Sequence, residues 1–109
     1  MPISNRAWGD VDKTVEAYGS PEKYCRACLI DLNEGGEEKA AGKCKLPVRE
    51  PGGALNRNAV HAAAAALVGA RGGVDAPLEA KRKAARKLVA LYRELDEEPP
   101  AGIRKLAGI

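Results

Sequence analysis

The sequence predicts a mainly α-helical chain that also contains a small β-hairpin. Residues 58–71 are nearly all apolar and rich in alanine, which is typical of a helix packed in an interior. Residues 77–96 carry apolar side chains at helical spacing together with a dense group of cations. Residues 42–48 alternate polar and apolar side chains, as a half-buried strand does. We therefore expect a helical hairpin of 58–71 with 77–96, packed on a short N-terminal helix and on the β-hairpin.

The size and composition of the chain indicate one domain with a core of small side chains. The 109 residues are close to the commonest domain length, and they include no Phe, one Trp and three Tyr. Small side chains bury little area each, so stability has to come from close approach of the backbones. We expect an N-terminal arm over 1–19, a single compact domain over 20–100 and a C-terminal tail over 101–109.

The N-terminal half should contain one or two helical turns over 12–17, which Gly19 stops, and then a short helix. Within the arm, Trp8 is interpreted as a plug that fills the core, with contact to a partner as the alternative. Ser20, Pro21 and Glu22 combine an N-cap, a proline at the first helical position and an acid in the first turn. A helix is therefore expected from Pro21 to about Ala27.

The β-hairpin is expected to follow this helix directly. Cys28 to Leu32 either extends the helix or forms a strand, and we favour the strand because the alternating segment 42–48 needs a partner. Residues 33–42, NEGGEEKAAG, would then be the exposed loop of the hairpin. Pro47 confines the second strand to an edge of the sheet or ends it.

The two long helices have recognisable ends. Asn56 or Asn58 is expected to cap the alanine-rich helix, and Gly72-Gly73 is expected to end it. Pro77 opens the second helix and Pro99-Pro100 stops it. The side chains expected to face the core at helical spacing are Val60, Ala63, Ala64 and Leu67 in the first helix, and Ala84, Ala85, Leu88, Leu91, Tyr92 and Leu95 in the second.

Charge and cysteine usage limit the classes of function. The net charge of +3 is mild and by itself indicates neither nucleic acid nor a membrane. No apolar run approaches the roughly 20 residues that a membrane-spanning helix needs, and the first residues do not resemble an export signal. We therefore expect the chain in a cytoplasm or in a particle assembled there. An odd count of three cysteines in such a chain argues against disulfides.

The cysteines and the single histidine form a candidate metal site. The four candidate ligands are Cys25, Cys28, Cys44 and His61. A Cys-x2-Cys pair clamps a tetrahedral zinc ion well, but Cys44 has no second ligand near it in the sequence. The alternative is that the cysteines are small buried apolar side chains. A cysteine–histidine nucleophile would also need an orienting group and a cleft, which the sequence does not indicate. We expect no cofactor, with zinc as the alternative.

A basic helix face is the second candidate site. The candidate contacts for a partner or for nucleic acid are Arg71, Lys81, Arg82, Lys83, Arg86, Lys87 and Arg93. Most of these cations share one side of the predicted helix, opposite the apolar stripe, where they could contact phosphates. The alternative is a solvated face stabilised by pairs such as Glu79 with Lys83. Since no aromatic side chains are interleaved for base stacking, nucleic-acid binding is expected to be weak and salt-sensitive.

Several segments resemble a small module of tailed-phage and prophage structural genes. The likeness is carried by Trp8, by YCRACLI at 24–30, by KLPVRE at 45–50, by ALNRNAVHAAAAALVGAR at 54–71 and by LYRELDEEPP at 91–100. It covers residues 8–100. Such modules accompany head-morphogenesis proteins, including prohead proteases and capsid-associated proteins.

The resemblance implies a non-enzymatic structural or interaction module of a phage head or of its assembly machinery. Other phage structural proteins, or further copies of the chain, would then be its partners, and the virion or the host cytoplasm its location. The resemblance brings no catalytic residue and requires no metal. The alternative function is a small nucleic-acid-binding domain, stabilised by zinc, that uses the basic residues 81–87.

Overall fold

A computed structural model of the chain describes residues 3–35, 38–69 and 73–109. The chain divides into two compact units, Met1–Ala59 and Val60–Ile109. The described residues form five α-helices and two small two-stranded sheets, so the predicted mainly α-helical class with a small β-hairpin is confirmed. None of the described helices has the length and apolar character needed to cross a membrane.

The first unit begins with two short helices, α1 (Val15–Tyr18) and α2 (Pro21–Arg26). The hydroxyl of Ser20 accepts a hydrogen bond from the amide of Lys23 at 3.2 Å, so the predicted N-cap is confirmed. Tyr18 packs edge-to-face on Tyr24 with their ring centroids 5.2 Å apart. Trp8, by contrast, is only half-buried and does not fill the core as expected.

The predicted β-hairpin is present. Strand β2 (Cys28–Asp31) pairs antiparallel with β3 (Cys44–Pro47), with Ile30 opposite Lys45. The segment Cys28–Asp31 is therefore a strand and does not extend α2. A short 3-10 turn over Ala41–Lys43 leads from the hairpin loop into β3.

A parallel pair of very short strands was not predicted. Strand β1 (Ile3–Ser4) lies beside β4 (Leu55–Asn56), which immediately precedes helix α3 (Arg57–Leu67). The amide group of Asn58 donates to the carbonyl oxygen of Arg6 at 2.8 Å, and so ties the segment after β1 to the start of α3. The segment expected to be a sparsely structured arm is therefore bonded to the rest of its unit.

Asn56 is a buried polar residue that joins three parts of the first unit. Its side-chain oxygen accepts a hydrogen bond from the amide of Ala59 at 2.8 Å and so caps α3. Its side-chain nitrogen donates to the Arg6 carbonyl at 3.1 Å and to Glu50 Oε2 at 2.9 Å. The side chain has 0% exposure, and all of its polar atoms have partners. Of the two asparagines expected as caps, Asn56 therefore fills the role.

The second unit contains the continuation of α3 together with α4 (Leu78–Glu94) and α5 (Ala101–Ala107). The predicted helical hairpin paired 58–71 with 77–96, whereas α4 packs most extensively against α5. Helix α3 meets α4 through side chains, with the ring of His61 stacked on Tyr92 at 5.9 Å between centroids.

Helix α3 ends four residues before the predicted limit. It stops at Leu67, and Gly69 follows with a φ of +107°, a conformation that side chains with a Cβ rarely adopt. Gly69 is thus the first position after the helix at which the chain can turn in this way. Arg71 and Gly72, in the predicted last turn and cap, lie outside the described residues.

Residues 101–109, expected to be a tail, form a helix over most of their length. Pro100 precedes α5 in an extended conformation, and Ile103 and Ala107 place their side chains in the core at i, i+4 spacing. Helix α4 ends before this in a Schellman motif, in which Asp96 takes a φ of +59° and the amide of Glu97 donates to the Tyr92 carbonyl at 2.9 Å. This motif reverses the direction of the chain after α4, so α5 can pack against α4.

We predict that Asn56→Ala lowers the free energy of unfolding of the first unit by about 3 kcal/mol. The substitution removes the cap of α3 and leaves the Glu50 carboxylate and the Arg6 carbonyl without a buried donor. Urea denaturation followed by the fluorescence of Trp8 measures the change. The control Asn58→Ala, at an exposed site, should cost about 1 kcal/mol or less. Equal losses for the two variants would contradict a central role for Asn56.

Candidate binding surface

Helix α4 presents the predicted basic face to solvent. Its buried side is formed by small and apolar residues, namely Ala84, Ala85, Leu88, Val89 and Tyr92. The exposed cations on the opposite side are Arg82, Lys83, Arg86, Lys87 and Arg93. The helical spacing predicted this division, and the amphipathic pattern explains it because the apolar stripe has to face the core.

Most cations of this face have no internal partner. Arg82, Lys83 and Arg86 form no hydrogen bond or ion pair with the part of the chain that the structure describes, and the expected pair of Glu79 with Lys83 is not formed there. Lys87 does make a contact of its own, and Lys81 is half-buried. An exposed guanidinium without a carboxylate partner remains free to bind an external anion.

An open groove of about 840 Å³ lies alongside the basic face within the second unit. Its apolar lining comes from the end of α3, the start of α4 and α5, and consists of Leu67, Val68, Leu78, Leu106 and Ala107. Val68 and Leu78 are 54% and 57% exposed, which is high for apolar side chains of this size. The groove therefore combines exposed apolar side chains with cations that have no partner among the described residues.

The cationic rim of the groove comes from two helices. Lys81, Arg82 and Arg86 contribute from α4 and Lys105 from α5, and no acidic side chain is among the described lining residues. Sequence reasoning found the α4 residues but missed Lys105 and the apolar floor. The signal was present in the spacing of Ile103 and Leu106 around a basic pair, which is typical of one more amphipathic turn.

The expectation that this chain lacks disulfides is wrong. Cys25 of α2 and Cys44 of β3 are joined by a disulfide across a sequence separation of 19 residues. The two cysteines are buried, and they meet because α2 runs directly into β2, on which β3 folds back. A tertiary contact of this kind leaves no signature in the spacing of the cysteines.

The predicted zinc ligands are not assembled as a metal site. The sulfurs of Cys25 and Cys44 bond to each other, and the Cys28 sulfur donates to the carbonyl oxygen of Tyr24 at 3.4 Å. His61, in the second unit, places its Nε2 atom 2.8 Å from Glu97 Oε1. Asp31 offers a carboxylate oxygen close to Cys25 and Cys44, but disulfide sulfurs are not thiolate ligands. Zinc stays an alternative only for the reduced chain.

Asn33 and Asp31 organise the hairpin loop around the disulfide. The side-chain nitrogen of Asn33 lies 3.4 Å from the Cys44 sulfur and donates to Asp31 Oδ1 at 2.7 Å. The Asn33 side-chain oxygen accepts from the amide of Ala40 at 2.8 Å, which closes the loop. Lys39 forms an ion pair with the other oxygen of Asp31. These contacts make a structural cluster whose polar groups are already engaged.

The free thiol of Cys28 is unsuited to nucleophilic chemistry. Burial raises its pKa to about 12, although a hydrogen bond with the Tyr24 side chain lowers it, and the nearby charge of Asp31 acts in the same direction as burial. A thiol with such a pKa carries almost no thiolate near neutral pH, and the thiolate is the reactive form. Cys28 therefore behaves as a small, half-buried apolar side chain.

No protein-family model, curated protein or solved structure was found to match this chain.

We predict that the unfolded but unreduced chain carries one reactive thiol, and that reduction exposes three. Maleimide labelling in denaturant followed by mass spectrometry counts the adducts. Reduction of the Cys25–Cys44 bond should lower the free energy of unfolding by about 3 kcal/mol, because the bond closes a loop of 19 residues in the unfolded chain. Cys28→Ser is the matched control and should change the count without this loss of stability. Three adducts before reduction would show that the bond does not form.

We predict that Asp31 titrates with a pKa of about 2, below its ordinary value of 3.8. Its slight burial acts in the opposite direction, but the hydrogen bonds from Lys39 and Asn33 to the carboxylate outweigh it. Because the folded-state pKa is depressed, the stabilisation is complete above the unfolded value and is lost as the pH falls through about 2. Carboxyl NMR measures the titration, and Lys39→Gln should move the midpoint upward. A midpoint at 3.8 or higher would contradict the account.

Proposed function

We propose that this chain is a non-enzymatic binding module of a phage head or of its assembly machinery, and that the basic face of α4 is its contact surface. The observation that carries the proposal is a set of exposed cations, Arg82, Lys83 and Arg86, that have no side-chain partner among the described residues and lie beside exposed apolar side chains. Neither feature stabilises the isolated chain. Both would be satisfied by an anionic partner that also covers the apolar surface.

The distribution of charge supports the choice of this surface. Residues 60–109 contain nine Lys and Arg against six Asp and Glu, whereas residues 1–59 contain nine of each. The whole net charge of +3 thus belongs to the second unit. A local excess of one sign raises the rate at which an oppositely charged partner is captured.

The state of the reactive side chains supports a non-enzymatic role. Two of the three cysteines are joined in a disulfide, and burial keeps the third protonated. His61 is engaged with Glu97 and stacked on Tyr92. The groove beside α4 is lined by apolar residues and cations without an accompanying base or nucleophile among its described residues.

The assignment to a phage head rests on the sequence resemblance of residues 8–100. The disulfide is compatible with a location in the virion, because disulfides persist in oxidising surroundings and are rare in a reducing cytoplasm. The alternative function, nucleic-acid binding through residues 81–87, would use the same basic face. The zinc stabilisation attached to that alternative would require the reduced cysteines.

We predict that the chain co-purifies with the heads of the phage that encodes it. Proheads and virions would be separated by gradient centrifugation, and the chain would be quantified against the major capsid protein by mass spectrometry. A constant ratio is expected in at least one kind of particle, with loss of the chain when Arg82, Lys83, Arg86 and Arg93 are all replaced by Gln. Absence of the unaltered chain from both kinds of particle would contradict the proposal.

A second experiment, on the purified chain, tests the nucleic-acid alternative. Fluorescence anisotropy with a duplex of roughly 20 base pairs, measured from about 50 to 300 mM salt, reports phosphate contacts through their salt dependence. Tight binding to the duplex that weakens steeply with salt, combined with absence from the particles, would favour the alternative.

A further inference from the structure

We propose that the groove between α4 and α5 binds an acidic amphipathic helix of a partner protein. This inference rests on the proposed function and names the chemistry of the partner. The groove is built from Leu67, Val68, Leu78 and Leu106, with Lys81, Arg82, Arg86 and Lys105 at its rim. It lies wholly within the second unit, between helices whose positions are fixed by α4–α5 packing.

The apolar floor requires apolar side chains from the occupant. Val68 and Leu78 are more than half exposed, and they face the same groove as the partly buried Leu106. Side chains of Leu, Met or Phe entering the groove would remove this apolar surface from water, which favours a complex. A nucleic-acid backbone would leave that surface wet, and the described lining offers no aromatic ring on which a base could stack.

The rim requires negative charge from the occupant. The side chains of Arg82, Arg86 and Lys105 form no hydrogen bond or ion pair within the described residues, and all three are exposed. These cations border the groove on two helices. A bound helix with carboxylates on both sides of its apolar stripe would therefore meet a cation on either side. A neutral or basic occupant would leave these charges uncompensated.

The walls favour a helix over an extended peptide. The described lining residues belong to α3, α4, α5 and the segments next to them, so none of them forms the edge of a strand. An extended peptide would bring backbone donors and acceptors into an apolar groove without partners, whereas a helix bonds its own backbone groups. Gly102 has no side chain that could fill the groove next to Val68, and a Cβ at position 102 would lie 3.1 Å from Val68 Cγ1.

The test is selection from a displayed library of random peptides of about 16 residues, long enough for four helical turns. The immobilised target is the full oxidised chain. The enriched peptides should carry Leu, Met or Phe at i, i+3 or i+4 and i+7, with Asp and Glu on the flanks. No enrichment, or enrichment of basic or uncharged sequences, would overturn the proposal.

The strongest binder is then measured against matched variants by fluorescence anisotropy. Arg82→Gln/Arg86→Gln removes two rim charges and should weaken binding about tenfold. Lys23→Gln/Lys43→Gln removes the same charge from exposed positions of the first unit, outside both the groove and the basic face, and should change binding by less than about threefold. Equal losses of affinity in the two double variants would indicate that the peptide responds to the overall charge of the chain. This result would overturn the groove as the binding site.

The apolar contribution has its own variant. Val68→Thr/Leu78→Gln keeps the shape of the first side chain and changes only exposed positions, so the fold should persist by circular dichroism. Binding should weaken by at least about tenfold. Unchanged binding would overturn the proposal. Displacement of the peptide by the DNA duplex, at a concentration lower than that of unlabelled peptide needed for the same effect, would also overturn it. So would displacement of the peptide by dimerisation of the chain.

The outcomes separate this inference from the proposed function. If groove variants lose the peptide but stay bound to heads, the groove is not the head contact and this inference fails alone. If the chain is absent from heads while the peptide binds as expected, the proposed phage context fails and the groove remains a peptide site.

Discussion

The first unit depends on one buried amide, that of Asn56. A side chain with no exposure must satisfy its donors and its acceptor within the protein, and Asn56 does so with the Arg6 carbonyl, the Glu50 carboxylate and the Ala59 amide. The N-terminal segment, the turn that follows β3 and the start of α3 are therefore joined at one buried group. An apolar residue would leave the Ala59 amide without its cap and would remove one donor each from the Glu50 carboxylate and the Arg6 carbonyl, whereas an aspartate would place a second carboxylate against Glu50.

Small side chains contribute to the close packing of the second unit. Ala84, Ala85 and Ala107 are buried, so α4 and α5 can approach closely around the larger buried side chains of the unit. A Cβ at Gly102 would lie 3.1 Å from Val68 Cγ1, so this position also favours the smallest residue. Val68 and Leu78 remain more than half exposed beside this packing and border the groove.

Features set by neighbouring residues could be predicted from the sequence, and features set by tertiary contact could not. The start of α2 at Ser20-Pro21, the strand at 44–47 and the buried stripe of α4 were predicted because caps and periodicity are local signals. The Cys25–Cys44 bond and the β1–β4 pair join distant segments that no spacing marks. The basic side of the groove was predicted from α4, but its other wall lies in α5, which the double proline suggested to be a tail.

Function follows from the joint presence of unpaired charge and uncovered apolar surface on one unit. The most direct measurement of this claim is a map of amide shift changes by NMR, recorded as the strongest acidic peptide is added to the isotope-labelled chain. The account predicts that the largest changes cluster at Val68, Gly102, Lys105 and Leu106 and at the first two turns of α4. Largest changes within residues 3–59, or shifts spread evenly over all exposed cations, would contradict it.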